Sequence, residues 1–282
     1  MIAVLHDGAE LEFEVHGAGP DLLLPVNPAP AEEGPAAEQM RAWGADPALG
    51  HTLTHTLVEH FRVIAFDYEG HVQAHPKADT LTAEAIANDF LAVADAAGCD
   101  DFAYYGYSWL ALAGLQLAIR TDRLNALVMG GYPPIDGPYD AMLKVTLATY
   151  EQAKNPPAEQ AEAVPGDWDS ATMVLSEEQT RQFVTLYESL RDFDDRAVQD
   201  RITCPRLCVV GEADNIDYGP RWGNAHVAIG TPVIANRAEL ERLGWQVEIL
   251  PGLDHMQTMQ AKTILPVITP WLQTNLGSTD AL

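Results

Sequence analysis

Positive charge is scarce in this chain. Sixteen lysines and arginines stand against 41 aspartates and glutamates over 282 residues, a formal net charge of −25. Nucleic acids and anionic membranes are held by Lys and Arg against phosphate, so this balance argues against both as partners. Cysteine is scarce too. Cys99, Cys204 and Cys208 are odd in number and irregularly spaced, so they form no disulfide framework. Cys204 and Cys208 flank or enter an apolar strand-like run and read as buried thiols. Long hydrophobic runs are missing: nothing approaches the roughly 20 apolar residues of a membrane-spanning helix. The first residues, Met1 to Asp7, lack the basic segment and apolar stretch of a signal peptide. A reduced cytoplasm is the expected compartment. Gly17 and Gly19 lack the third glycine and the following helix of a dinucleotide site, so no nucleotide cofactor is expected. Internal repeats and low-complexity tracts are absent as well.

What is present reads as globular. Apolar residues make up 47% and charged residues 20%, near the soluble average. The length suits one large α/β domain carrying an insertion. Strands are expected at Glu10–Val15, Asp21–Leu24, Phe61–Phe66, Asp101–Tyr105, Ala126–Met129, Arg206–Val210 and Trp245–Leu250. Helices are expected at Ala48–His60, Thr82–Gly98, Trp109–Ile119, Pro232–Leu243 and Met256–Gln273, and Tyr68–His71 reads as a loop. Strand signals vanish between Pro133 and Asp200, where Pro156-Pro157 and Pro165-Gly166 break helical segments. The expected domains are an α/β core over 1–132 and 201–282 and a helical cap over 133–200. Alternating strands and helices predict a mostly parallel sheet, of eight-stranded type, covered by helices on both faces.

In such sheets chemistry gathers beyond the carboxyl ends of the strands. Ser108, in Gly106-Tyr107-Ser108-Trp109-Leu110, sits between a strand and a strongly apolar helix. A serine there also serves as an ordinary helix cap. A serine hydroxyl needs a base to become a nucleophile, and the base needs a carboxylate to orient it. Asp214 and His255 each lie just past a predicted strand, in the chain order Ser, Asp, His. Asp136 follows another strand and is a rival acid, and Asp217 stands close to Asp214.

These pieces resemble the α/β-hydrolase family from about residue 10 to 275. They are Gly106-Tyr107-Ser108-Trp109 as nucleophile elbow, Gly211-Glu212-Ala213-Asp214 as acid turn and Gly252-Leu253-Asp254-His255 as histidine loop. The resemblance implies Ser108 as nucleophile, His255 as base and then acid, and Asp214 as its carboxylate. It implies Asn27-Pro28-Ala29 as the oxyanion loop, with the Ala29 and Trp109 amides as donors and Asn27 beside the substrate.

Three positions depart from the family pattern. Leu110 stands where a small residue is usual, Asn27-Pro28-Ala29 replaces a His-Gly loop, and Glu69 replaces an arginine after Asp67. The implied activity is cofactor-independent serine hydrolysis of an ester, thioester or lactone of a small apolar molecule. Two alternatives stay open: the same triad serving carbon–carbon cleavage, lyase or cyclase chemistry, and a non-catalytic small-molecule-binding protein. A homodimer is compatible with either.

Four further sets of residues have blander readings. His51 and His55 fall four apart on a helix but lack a third ligand, so no metal is expected. His71 and His75 follow Asp67, near the expected mouth of the site. The Trp109 ring is expected to pack on the pocket floor or the cap. Tyr139, Tyr150, Trp168, Phe183 and Tyr187 line a pocket or, at helical spacing, fill a core.

Overall fold

Side chains alternate across a strand, so a wholly apolar run feeds both faces of a sheet at once. Leu22 and Leu24 enter one buried cluster and Leu23 the other. The same division separates Ala103 and Tyr105 from Phe102 and Tyr104. The computed structural model describes residues 1–31, 33–155, 164 and 175–277. The expected prolines at 156, 157 and 165 and Trp168 lie outside them.

Eleven strands occur among the described residues. They are β1 (Ile2–Val4), β2 (Glu10–Glu12), β3 (Glu14–His16), β4 (Asp21–Leu24), β5 (Arg62–Ala65), β6 (Phe102–Tyr107), β7 (Leu124–Gly130), β8 (Arg206–Gly211), β9 (Asn215–Asp217), β10 (His226–Ala228) and β11 (Trp245–Leu250). The helices are α1 (Pro35–Ala42), α2 (Leu49–Leu57), α3 (Tyr68–Ala74), α4 (Ala83–Ala96), α5 (Trp109–Ala118), α6 (Tyr139–Lys154), α7 (Glu177–Glu188), α8 (Gly230–Ala235), α9 (Arg237–Arg242), α10 (His255–Met259) and α11 (Ala261–Leu276).

Seven strands form the central sheet in the order β11-β8-β7-β6-β4-β5-β3, parallel except for β3. Helices α4 and α5 cover one face, and α2 and α11 the other. The chain runs from β4 outward to β5 and then returns to β6 on β4's other side. The order therefore reverses between β4 and β6, which opens a crevice at their carboxyl ends.

Four expectations need correction. Glu10–Val15 is not one strand. It breaks at Phe13, which is buried, and β2 pairs with β1 in a separate hairpin while β3 pairs with β5. Tyr68–His71 is not a loop but the start of α3, since the Asp67 carboxylate caps it by accepting the Gly70 amide at 2.8 Å. The two C-terminal helices are each divided, at Asn236 and at Gln260, whose ψ of 135° is not helical. Helix α1 and the β9–β10 hairpin were not foreseen.

Helices α6 and α7 pack together between β7 and β8 in sequence. Helix α7 is fastened to the segment after α3. Gln182 accepts the Lys77 amide and donates to the Val72 carbonyl, and the Thr185 hydroxyl donates to the Ala78 carbonyl.

The N-terminal hairpin is tied to the core by charge. Asp89, fully buried on α4, accepts from the His6 ring at 2.6 Å, the Tyr68 phenol at 2.7 Å and the Lys77 ammonium at 2.8 Å. Lys77 also meets Asp7 at 2.8 Å. His6, Asp7 and Asp89 are the one metal-like cluster among the described residues, and the Lys77 ammonium already supplies its positive charge. No helix among the described residues is long and apolar enough to cross a membrane. The three cysteines are free thiols, and burial pushes that of Cys99 up to about 12.

Candidate active site

The site grows from five loops at the carboxyl ends of β4, β5, β6, β8 and β11. Ser108 follows β6, the middle strand, at φ 57° and ψ −130°. A non-glycine residue in that left-handed region is strained and persists only where its surroundings fix it. Here the Ser108 amide donates to the Gly130 carbonyl at 2.8 Å. Its carbonyl accepts the Ala111 amide, which starts α5. Gly106 is required, because a Cβ there would stand 2.4 Å from the Leu110 carbonyl oxygen.

Leu110, the unusual residue of the elbow, is buried and lines the cavity. The close approach of helix to strand has moved one turn along. A Cβ on Gly114 would come within 2.5 Å of the Tyr104 ring, and the Tyr104 phenol donates to the Leu110 carbonyl at 2.7 Å.

His255 opens α10, whose cap is a reciprocal box between Asp254 and Gln257. Its Nδ1 lies 3.0 Å from both carboxylate oxygens of Asp214. Asp214 is fully buried, and the His255 side chain is 14% exposed. The acid and histidine loops are also stitched together. The Glu212 amide donates to the Leu250 carbonyl, the Ala213 amide to the Leu253 carbonyl, and the Gly252 amide to the Glu212 side chain. Gly211 and Gly230 allow this approach, since a Cβ on either would collide with backbone.

The rival carboxylates point elsewhere. Asp136 is bound at the surface to Arg196 at 2.6 Å and to Asn236, and that guanidinium holds its carboxyl below the usual range. Asp217 pairs with His226 on the β9–β10 hairpin.

Ser108 and His255 line one cavity of about 780 Å³, within the range of small-molecule sites. Its walls also include Asn27, Ala29, Met40, Leu53, Asp67, Glu69, Trp109 and Met256. Among the described residues no hydrogen bond joins the Ser108 hydroxyl to His255, a looseness common in sites without substrate.

The expected oxyanion loop differs in one respect. The Ala29 amide is taken by the Asn27 side-chain oxygen at 2.9 Å in an Asx turn, so it is not open to a ligand. The amides of Asn27 and Trp109 have no acceptor within the described protein. Of the two loop amides, that of Asn27 is therefore the one without an acceptor among the described residues. His51 on α2 bonds the Pro28 carbonyl at 3.0 Å and stacks near His55 at 4.0 Å between centroids, which braces the same loop. His71 is buried on α3 beside Tyr68, and neither it nor His75 lines the cavity. The Trp109 ring meets Phe183 of α7 edge-on at 5.4 Å. Tyr139, Tyr150, Phe183 and Tyr187 belong to the core cluster or pack against it, and none lines the cavity.

Glu69, which sequence reading noted only as a departure, sits in the cavity wall. The residue is exposed along that wall. Desolvation pushes its carboxyl above the usual carboxylate range and the Asp67 charge adds to this, while a hydrogen bond from the Trp109 side chain pulls the other way.

No protein-family model matches the chain, and no curated protein matches it. Solved structures do. A thermophilic esterase from Thermogutta terrifontis is 18% identical at TM-score 0.59, with 98% of this chain and 99% of that one covered. The enol-lactonase of Burkholderia xenovorans LB400 is 17% identical at TM-score 0.61, with 98% and 99% covered. Epoxide hydrolases of the alpha/beta hydrolases superfamily, from metagenomes of hot environments, are 15% identical at TM-score 0.55, with 98% of each chain covered. The sheet order, the elbow after the middle strand and these likenesses along nearly the whole chain agree: this protein has the α/β-hydrolase fold.

Proposed function

We propose that the protein is a serine hydrolase that cleaves an ester, thioester or lactone through Ser108, His255 and Asp214. The observation that carries this reading is the 3.0 Å approach of His255 Nδ1 to both Asp214 oxygens, in a cavity that also takes the strained Ser108. With Nδ1 turned to the carboxylate, Nε2 is the nitrogen left for the serine proton. Ser108 Oγ attacks the substrate carbonyl as its proton passes to His255. The oxyanion is met by the Trp109 amide at the start of α5 and by the Asn27 amide, in place of Ala29. The proton then goes to the leaving group, and a water deprotonated by His255 releases the acid from the acyl-enzyme.

The test is covalent labelling. A fluorophosphonate should add to Ser108, as read by mass spectrometry, and Ser108→Ala should abolish turnover of a nitrophenyl ester. A folded protein with no adduct on Ser108 would instead favour the binding-protein reading. An adduct without any ester turnover would favour carbon–carbon, lyase or cyclase chemistry.

A further inference from the structure

The loop after β4 runs Pro25-Val26-Asn27-Pro28-Ala29, and Asn27 and Ala29 are exposed, so packing alone does not set its shape. Two hydrogen bonds fold it on itself. The Val26 amide donates to the Leu24 carbonyl at 2.9 Å, and the Ala29 amide to the Asn27 side chain at 2.9 Å. Two further contacts come from the first turn of α2. His51 Nδ1 stands 3.0 Å from the Pro28 carbonyl. A carbonyl only accepts, so Nδ1 carries the proton and donates it. One residue earlier, a Cβ on Gly50 would stand 2.1 Å from the Asn27 carbonyl oxygen. Helix α2 is itself fixed, because Leu53 and Leu57 are buried in one cluster with Leu22 and Leu24 of β4.

These contacts bear on the Asn27 amide, which has no acceptor among the described residues and shares a cavity wall with Ser108. The pyrrolidine ring of Pro28 locks its own φ and confines the preceding residue to extended conformations. With the Pro28 carbonyl held by His51 and the Asn27 carbonyl against Gly50, Asn27 keeps little torsional freedom, and the direction of its N–H is set. An oxyanion donor works only when aimed at the place where charge develops, and a misplacement of about 1 Å can cost on the order of a hundredfold in rate. His51 itself does not line the cavity.

We propose that His51 is a positioning residue of the oxyanion hole: by holding the Pro28 carbonyl it aims the Asn27 amide at the substrate carbonyl. It touches no reacting atom and acts through the loop. This rests on the Ser108-centred hydrolase reading, in which the Asn27 amide is a donor.

The test follows hydrolysis of a nitrophenyl ester, the rate of fluorophosphonate labelling at Ser108, and inhibition by a trifluoromethyl ketone, whose serine adduct carries an oxyanion. His51→Phe keeps a ring beside His55 and removes the donor. It should lower kcat roughly tenfold to a hundredfold, with KM within about twofold. The ketone should bind more weakly by a similar factor. Labelling should slow as well, and its rate carries the comparison if the ester is not turned over. His51→Asn should restore most of the loss, because its Nδ2 hangs from Cγ as Nδ1 does. His51→Asp has the same shape without the donor and should not restore it. If His51→Phe does not fold, the Asn and Asp variants decide. A fall in Tm with kcat and labelling unchanged, or equal losses in His51→Asn and His51→Asp, would overturn the proposal. A wild type labelled at Ser108 beside a His51→Phe variant labelled equally fast removes this inference alone. A folded wild type that is neither labelled nor active removes the hydrolase reading and this inference with it.

Discussion

The phenol of Tyr107, the residue before the proposed nucleophile, donates a 2.7 Å hydrogen bond to the main-chain carbonyl of His255. Its ring lies against Gly130 and Gly131, where no Cβ would fit. One side chain thus sets the distance between the elbow and the histidine loop. Tyr107→Phe should keep the fold at a cost of about 1 kcal/mol. It should lower kcat by on the order of tenfold to a hundredfold with little change in KM, because the base is displaced rather than removed. Steady-state kinetics on a nitrophenyl ester reads both.

Asp214 and Asp136 are distinguished by their partners, His255 and Arg196. Asp214→Asn should reduce kcat by about 10⁴-fold with the geometry intact. Asp136→Asn should leave turnover within a factor of two or so, since its ion pair with Arg196 and its bond to Asn236 lie at the surface, away from His255. A loss of activity in the second variant comparable to the first would reassign the acid.

Gly114 should tolerate no side chain. A methyl group there meets the Tyr104 ring at 2.5 Å, so Gly114→Ala should destabilise by about 1–3 kcal/mol through overpacking. Thermal unfolding would show this as a fall in Tm. Substituting Leu110 by a small residue should not rescue that variant, because the clash lies one helical turn away.

The knot of Lys77, Asp7 and Asp89 makes stability depend on acid. Burial alone would raise the Asp7 carboxyl, but the Lys77 and Ala9 hydrogen bonds and the Lys77 charge outweigh it and hold the group below its ordinary 3.8. A depressed carboxyl stabilises the fold above its unfolded value and loses that contribution as pH falls through its folded value. Urea unfolding should therefore show stability declining below about pH 4, with a shallower decline in Asp7→Asn. Lys77→Met should cost about 3–5 kcal/mol at neutral pH, since it leaves Asp89 buried with no cation.

The strands around the site were legible because each is an apolar or alternating run between turn residues, and β11 ends where its alternation ends, at Leu250. Ser108 follows such a run directly, and Asp214 and His255 lie within a short loop of one, so their convergence on one end of the sheet was legible. Helix α3 was not legible: its seven residues include Gly70 and His71, and only the Asp67 cap converts them from loop to helix. The strand break at Phe13 was hidden because the alternation of polar and apolar residues continues through it. The Ala29 amide was misread because a side chain two residues back can occupy a backbone donor, and pattern records no such competition. Glu69 stood out as an oddity, but only the folded chain shows that it shares a cavity wall with Asp46 and Asp67.

That wall carries three carboxylates and, among its described residues, no lysine or arginine, which gives the proposed reaction a direction. Hydrolysis of a neutral ester would leave a carboxylate beside Asp46, Asp67 and Glu69. The neutral substrate would feel little of that charge, and the acid it becomes would be repelled from the place where it forms. A cavity of this sign would favour release of the acid over its return.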